Sequence, residues 1–92
     1  MQIVFTYKAN ERLIEIANYL HRQKCSKNFI IKYIKGFRKQ LKKVLIPFPE
    51  SGTSVPEFGK NVRRIICQEY SFLYQIKGNK IEILTIFKEN LP

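Results

Sequence analysis

Residues 60–88 (KNVRRIICQEYSFLYQIKGNKIEILTIFK) decide the fold, because β-branched and aromatic side chains dominate three short runs separated by turn residues. Residues 67–69 are predicted to form a tight turn, and Lys77-Gly78-Asn79 is typical of a hairpin, since Gly and Asn tolerate positive φ. The three runs are predicted to form an antiparallel meander, and the last carries Ile, Leu and Phe on both faces, which predicts a central position in the sheet. The predicted strands are residues 60–66, 70–76 and 80–88.

The residues before this meander predict one strand and two helices. Residues 2–7 are β-branched and aromatic, as in a short strand. Apolar residues then recur at helical spacing, which predicts a helix over residues 9–22 with Asn10 as its N-cap. Ser26 is a suitable N-cap for a second, longer helix with its own apolar stripe. Two helices joined by so short a break should form an antiparallel hairpin.

A loop at residues 47–59 is predicted between the second helix and the meander, because it holds three of the four prolines and two of the four glycines. Phe48, Val55 and Phe58 are expected to hold it against the body. The chain is predicted to be a single α+β domain, residues 1–92, with the order β-α-α-β-β-β and about four strands in its sheet. The predicted core comprises Ile16, Leu20, Ile34, Phe37, Leu41, Phe72 and Ile83.

The charge is strongly positive and unevenly distributed. There are 17 Lys and Arg against 7 Asp and Glu, and segment 24–46 contains no acidic residue. Lysines on the second helix fall within an arc of about 100° opposite its apolar stripe. Like charges repel at this spacing, so the pattern favours an anionic partner over a merely solvated face. The candidate binding residues are Lys32, Lys35, Lys39, Lys42 and Lys43 on the helix, and Lys60, Arg63 and Arg64 at the start of the meander.

Several classes of protein are disfavoured by what the sequence lacks. Cys25 and Cys67 form neither a secreted disulfide framework nor a metal knuckle, so both are interpreted as reduced thiols, and neither a metal nor a cofactor is expected. The first apolar stretch is too short for a signal peptide, and no segment approaches the about 20 apolar residues of a membrane span. We therefore expect a cytoplasmic protein without a membrane partner.

The whole chain resembles the bacterial RelE/ParE toxins. The element order in about 90 residues is similar, as is a Pro- and Gly-containing loop at residues 47–52 after the second helix. The short ending after Phe87 and the start of the meander at Val62-Arg63-Arg64 look more like the ParE branch. The remaining residues that carry the resemblance are Ala9, Leu13, Glu15 and Ile16 in the first helix, Tyr70 and Tyr74 in one strand, and Ile81 to Phe87 in the next.

This resemblance implies a growth-inhibiting toxin of a type II toxin–antitoxin system, neutralised by a cognate antitoxin with an acidic-hydrophobic segment. It also implies one of two targets. ParE-like members poison DNA gyrase, whereas RelE-like members are mRNA interferases, endoribonucleases that cut messenger RNA in the ribosomal A site. We expect the ParE-like, non-nucleolytic activity; the alternative is RelE-like cleavage on the ribosome.

For the ribonuclease alternative, the candidate catalytic residues are Arg63, Arg64, Tyr70 and Lys88. An acid–base pair is difficult to assemble from this sequence, because no His or Tyr follows Phe87. His21, the only histidine, is expected at the surface of the first helix. Tyr70 and Tyr74 are expected to be half-buried core residues whose hydroxyls remain in water, as tyrosines in strands usually are.

Overall fold

The computed structural model describes residues 1–88, in which two helices cover one face of a five-stranded sheet. The sheet order is β1-β5-β4-β3-β2; β1 and β5 are parallel and the other neighbours are antiparallel. This arrangement confirms the α+β class, and β5 lies inside the sheet between β1 and β4, next to the central strand β4. The elements are β1 (Gln2–Phe5), α1 (Tyr7–Arg22), α2 (Lys27–Leu45), β2 (Thr53–Ser54), a 3-10 turn (Pro56–Phe58), β3 (Arg63–Cys67), β4 (Tyr70–Lys77) and β5 (Lys80–Lys88).

The first helix begins earlier than its sequence pattern predicts. Thr6, not Asn10, is the N-cap of α1, and its hydroxyl accepts a hydrogen bond from the Ala9 amide at 3.2 Å. The same hydroxyl lies 3.0 Å from the carbonyl oxygens of Ile83 and Leu84, to which it donates. Contact with β5 therefore fixes where the helix starts. For α2 the prediction of Ser26 as N-cap is confirmed, because its side chain accepts from the Phe29 amide at 3.1 Å.

The main core lies between the helical hairpin and the sheet. Phe37 of α2 is fully buried at its centre, with edge-to-face ring contacts at 5.1–5.7 Å. Burying a side chain of this size contributes about 1.5–3 kcal/mol. The ring partners of Phe37 are Tyr33, Tyr70 and Phe72. Of the predicted core residues, Ile16, Phe37, Leu41, Phe72 and Ile83 are buried, whereas Leu20 and Ile34 pack at the edge of the core and are only partly buried.

A register shift in the β4–β5 pair aligns the apolar residues of β5 with the core. Tyr74 lies opposite Ile83 and Leu73 opposite Thr85, so Leu84 is an extra residue in β5. An extra residue moves the following side chain to the other face. Ile83 and Ile86 are therefore both buried against the helices although they are three residues apart, a spacing that simple alternation would place on opposite faces.

The loop between α2 and β3 differs from its prediction. Thr53 and Ser54 pair with β3 and form a fifth strand, which is too short to show in a Pro- and Gly-rich sequence. Val55 is buried against Val62 and Leu73 on the sheet face that the helices leave open. Phe48 does not hold the loop, because 68% of it is exposed. Phe58 is also mostly exposed, with its ring 6.1 Å from that of Phe87.

Two strands differ in extent from their predictions, since β1 ends at Phe5 and β3 begins at Arg63 and continues to Cys67. The turn after β3 contains Gln68 and Glu69, both with positive φ (49° and 73°), although neither is a usual residue for that conformation. Tyr33 of α2 supports the turn by donating its hydroxyl hydrogen to the Gln68 carbonyl oxygen at 3.1 Å. Within residues 1–88, neither helix combines the length and apolar character needed to cross a bilayer.

Candidate functional site

One of the two adjacent arginines belongs to a polar clamp between the β3–β4 pair and the preceding loop. Arg63 and Tyr74 are cross-strand partners. The Arg63 guanidinium donates to the carbonyl oxygens of Glu50 at 3.2 Å and Gly52 at 2.9 Å. The Tyr74 hydroxyl accepts from the Gly52 amide at 2.9 Å and donates to the Pro49 carbonyl oxygen at 2.8 Å. We call these residues (Pro49, Glu50, Gly52, Arg63 and Tyr74) the loop clamp.

The loop clamp requires glycine at position 52 and a protonated hydroxyl at Tyr74. A Cβ atom on Gly52 would lie 2.6 Å from the Tyr74 hydroxyl oxygen and 2.9 Å from the Arg64 carbonyl oxygen, too close for any other residue. Burial raises the pKa of Tyr74, partly opposed by the hydrogen bond from Gly52 and by the charge of Arg63. Tyr74 is fully buried, so its hydroxyl is not in water and holds the loop instead.

Arg64 lies on the opposite face of the sheet from Arg63, because successive residues of a strand point to opposite sides. Its cross-strand partners are Leu73 on β4 and Thr53 on β2. Leu73 belongs to the small apolar cluster on the face that the helices do not cover. The sheet therefore separates two arginines that are neighbours in the sequence.

Tyr70 and Lys88 are brought together at the far end of the β3–β4 pair. They are cross-strand partners on β4 and β5, at a groove of about 230 Å³ that α1 closes on one side. The Lys88 ammonium lies 5.8 Å from the ring centroid of Tyr19. Burial raises the pKa of Tyr70, and the charge of Lys88 partly opposes that shift. Tyr74 lies four positions after Tyr70 along β4, so the Tyr70–Lys88 pair is about 13 Å from the loop clamp.

The predicted basic face of α2 is exposed along its whole length. Within residues 1–88 the ion pairs are Arg12–Glu15 and Lys77–Glu82, and neither involves α2. Lys60 is also exposed, in the turn before β3. The same part of the chain contains no group of three or more His, Cys, Asp or Glu side chains that could hold a metal ion. We call the exposed residues Lys32, Lys35, Lys39, Lys42 and Lys43 the lysine face.

A groove beside β1 was missed by the sequence reasoning. On the helix side of the sheet, the first strand borders α2 across a cavity of about 390 Å³. The Arg38 guanidinium lies 4.3 Å from the ring centroid of Phe5, and Lys42 follows one turn later. Met1 also lines a second, more open cavity of about 660 Å³, which includes Phe48. We call the first cavity, lined by Met1, Gln2, Ile3, Phe5, Arg38, Lys42 and Ile46, the edge groove.

A sequence signal for the edge groove did exist. The run Lys42-Lys43-Val44-Leu45-Ile46-Pro47-Phe48 places apolar residues directly after lysines at the end of a helix. Of these, Ile46 and Phe48 are exposed, while Leu45 is buried and Val44 partly buried. Only the fold shows that β1, an edge strand, lies next to this run.

Comparisons with known proteins agree with this architecture. A family model described as "ParE toxin of type II toxin-antitoxin system, parDE" matches residues 3–90. The fold is similar to that of a chain from the chromosomal ParDE toxin–antitoxin system of P. aeruginosa, with a TM-score of 0.77, 23% identity and coverage of 98% of this chain and 97% of that one. No curated protein sequence is significantly similar to the chain.

The fold is also similar to a chain of the RelBE2 toxin–antitoxin complex from Mycobacterium tuberculosis, with a TM-score of 0.58, 16% identity and 96% of each chain covered. Both neighbours share the strand, helical hairpin and meander. The family model covers nearly the whole sequence, which confirms the prediction that the chain lies closer to the ParE branch. The chain belongs to the ParE toxin family of type II toxin–antitoxin systems.

Proposed function

We propose that this ParE-family toxin inhibits growth by poisoning DNA gyrase in the cytoplasm, as a binding poison and not as a ribonuclease. The observation that carries the proposal is the separation of the residues that RNA cleavage would need. Cleavage requires groups that activate the 2′-OH, protonate the leaving oxygen and stabilise the charged phosphorane around one phosphate.

The four candidate catalytic residues lie in three places. Arg63 is bound to two loop carbonyl oxygens, and Arg64 lies on the other face of the sheet. Tyr70 and Lys88 form a pair about 13 Å from Arg63 along the strands. A phosphate cannot contact all three places at once, and this supports gyrase poisoning over the RelE-like alternative.

The experiment compares both targets with one protein preparation. We expect the toxin to inhibit supercoiling by purified gyrase, or to trap cleaved DNA, and to leave messenger RNA on purified ribosomes intact. Arg64→Ala is the informative variant, since Arg63→Ala would also release the loop. Codon-specific RNA cuts that disappear in Arg64→Ala, with gyrase unaffected, would establish the ribonuclease instead.

The acidic-hydrophobic segment of the antitoxin is proposed to bind at the edge groove. Within residues 1–88, β1 has β5 on one side and no strand on the other, so a partner strand can add to its outer edge. Ile3, Phe5 and Ile46 offer apolar contacts, and Arg38 and Lys42 offer partners for carboxylates. Apolar anchors matter because exposed charge pairs alone contribute only about 0–1 kcal/mol.

Association kinetics with the purified antitoxin test this location. The double variant Arg38→Gln/Lys42→Gln should slow association and reduce its dependence on salt, because opposite charges steer the encounter. The control Lys8→Gln/Lys80→Gln removes the same charge from exposed sites off α2. Equal slowing by both pairs would mean that net charge alone is responsible and that the edge groove is not the binding site.

A further inference from the structure

We propose that the lysine face of α2 binds the phosphate backbone of duplex DNA. This inference goes beyond the proposed function, because it gives the toxin its own contact with DNA whether or not gyrase is the target. It rests on an exposed array of five lysines that has no acidic partner among residues 1–88.

The dimensions of the lysine face match a run of phosphates. From Lys32 to Lys43 the helix rises about 16 Å, at about 1.5 Å per residue. A duplex carries one phosphate per about 1.7 Å of its axis when both strands are counted, so this length of axis offers about ten phosphates, enough for each of the five lysines to contact one. The ammonium groups fall within an arc of about 100°, so one polyanion can contact them together.

Repulsion within the lysine face makes an anionic ligand favourable. Lys35 and Lys39, and Lys39 and Lys43, are four residues apart, where like charges destabilise a helix. By contrast α1 pairs Arg12 with Glu15 at 2.7 Å. A bound phosphate backbone would remove the repulsion on α2 without any change in the packing of its buried side.

Duplex DNA fits the lysine face better than an acidic protein does. Protein interfaces are depleted in lysine and depend on apolar or aromatic residues at their centres. Between Lys32 and Lys43 no apolar side chain projects within the arc of the lysines; Ile46 lies beyond the end of the array. Phosphate binding requires only cations, because released counterions provide most of the favourable free energy.

Duplex DNA also fits better than RNA. Proteins that bind single strands stack bases on exposed aromatic side chains, and none lies among the five lysines. The exposed rings of Phe29 and Phe48 lie before and after the array in the sequence, and Phe29 stacks on Tyr33 at a centroid distance of 5.8 Å. The B-form major groove is about 12 Å wide and admits an α-helix, whereas the A-form groove of double-stranded RNA is too narrow for side chains to read.

The test measures binding of the purified chain to a short, fluorescently labelled DNA duplex of mixed sequence by anisotropy. Five phosphate contacts predict a slope of log K against log salt of about −4 to −5, and an affinity loss of about 500-fold between about 50 and 200 mM salt. The variant Lys35→Gln/Lys39→Gln should reduce the slope to about −2 to −3 and weaken binding by about tenfold per lysine removed.

The control is again Lys8→Gln/Lys80→Gln, which lowers the net charge equally but leaves α2 intact. The proposal is supported if this control keeps the slope and affinity of the parent while the α2 variant has a smaller slope and a weaker affinity, and if both variants remain folded. It is overturned by an absence of binding at low salt, by equal losses in the two variants, or by tighter binding to RNA of the same length. Because gyrase is absent, failure here leaves the gyrase proposal standing.

Discussion

The β3–β4 pair and the lysine face of α2 both carry cationic side chains, but the surroundings of these cations differ. Arg63 on β3 donates to two carbonyl oxygens and holds the loop clamp together with Tyr74. The five lysines on α2 are exposed and form no ion pair within residues 1–88. A cation with backbone partners contributes to the fold, whereas an array of cations without partners adds repulsion. The difference indicates that Arg63 stabilises the fold, whereas the lysine face does not.

The largest expected effect concerns the buried side of α2. Phe37→Ala should lower the free energy of unfolding by about 3–5 kcal/mol, because it leaves a cavity among Tyr33, Tyr70 and Phe72. Urea titration followed by circular dichroism measures the change. Ile31→Ala, on the exposed side of the same helix, should change stability by less than about 0.5 kcal/mol. Equal losses of unfolding free energy in the two variants would mean that α2 does not have one buried and one exposed side.

A smaller loss is expected in the loop clamp. Tyr74→Phe removes one hydroxyl and leaves the Gly52 amide and the Pro49 carbonyl oxygen unpaired, which should cost about 1–3 kcal/mol. Thermal or urea unfolding measures it, with Tyr7→Phe as the control because 80% of Tyr7 is exposed. An unchanged stability for Tyr74→Phe would show that the clamp does not stabilise the β3–β4 pair.

A pH-dependent effect is expected from Cys67, at the other end of β3. Burial raises the pKa of its thiol from 9.0 to about 11. Below pH 9.0 the folded and unfolded chains both retain the proton; between pH 9.0 and about 11 the unfolded chain loses it first, so stability falls. Cys67→Ala removes this contribution, and its stability relative to the parent should improve over that range by up to about 1.4 kcal/mol per pH unit.

Urea titrations at several pH values measure the difference in unfolding free energy between the parent and Cys67→Ala. The pKa values of Tyr70 and Tyr74 are raised in both proteins, so their contribution cancels in the comparison. The raised pKa of Tyr33 depends on Cys67 only as the smallest of its causes, after burial, Tyr70 and Glu69. Cys25→Ala is the matched control for the loss of a thiol, because Cys25 is only partly buried. A constant difference in stability between the parent and Cys67→Ala would contradict the burial of the Cys67 thiol.

The smallest effect has the opposite sign and lies on the lysine face. Lys35→Gln/Lys39→Gln should raise the free energy of unfolding by a few tenths of a kcal/mol, since like charges four residues apart repel. The gain should shrink as salt screens the repulsion. Unfolding at low and high salt measures it against Lys8→Gln/Lys80→Gln. A loss of stability would mean that these lysines stabilise the fold, as Arg63 on β3 does. The contrast between the two regions would then be wrong.

The sequence predicts those parts of the fold that follow from periodicity and turn residues. Phe37, Leu41 and Phe72 could be assigned to the core because each lies in a clear helical or strand pattern. Thr6 and Asn10 are both suitable N-caps, and local sequence could not choose between them, because the deciding contact is with Ile83 and Leu84 of a distant strand. The extra residue at Leu84 and the two-residue strand β2 could not be predicted, because neither produces a recognisable pattern in the sequence.

The candidate site was predictable where exposure follows from helical periodicity. The positions of Lys32 to Lys43 on one face of α2 could be read directly from spacing. The roles of Arg63 and Tyr74 could not, because their partners come from a loop whose path depends on tertiary contacts. Successive side chains of a strand point to opposite faces of the sheet, so the separation of Arg63 from Arg64 could be predicted from the sequence.

The position of β5 between β1 and β4 has a consequence for how the toxin is made. Among the described strands, β1 pairs only with β5, and Gln2 lies opposite Lys80. A nascent chain that has been translated only as far as Lys77 therefore has its helices but no partner for its first strand. Pairing so distant in sequence is slow, because a long loop must close first. The toxin therefore reaches its folded form only after β5 has left the ribosome and has paired with β1.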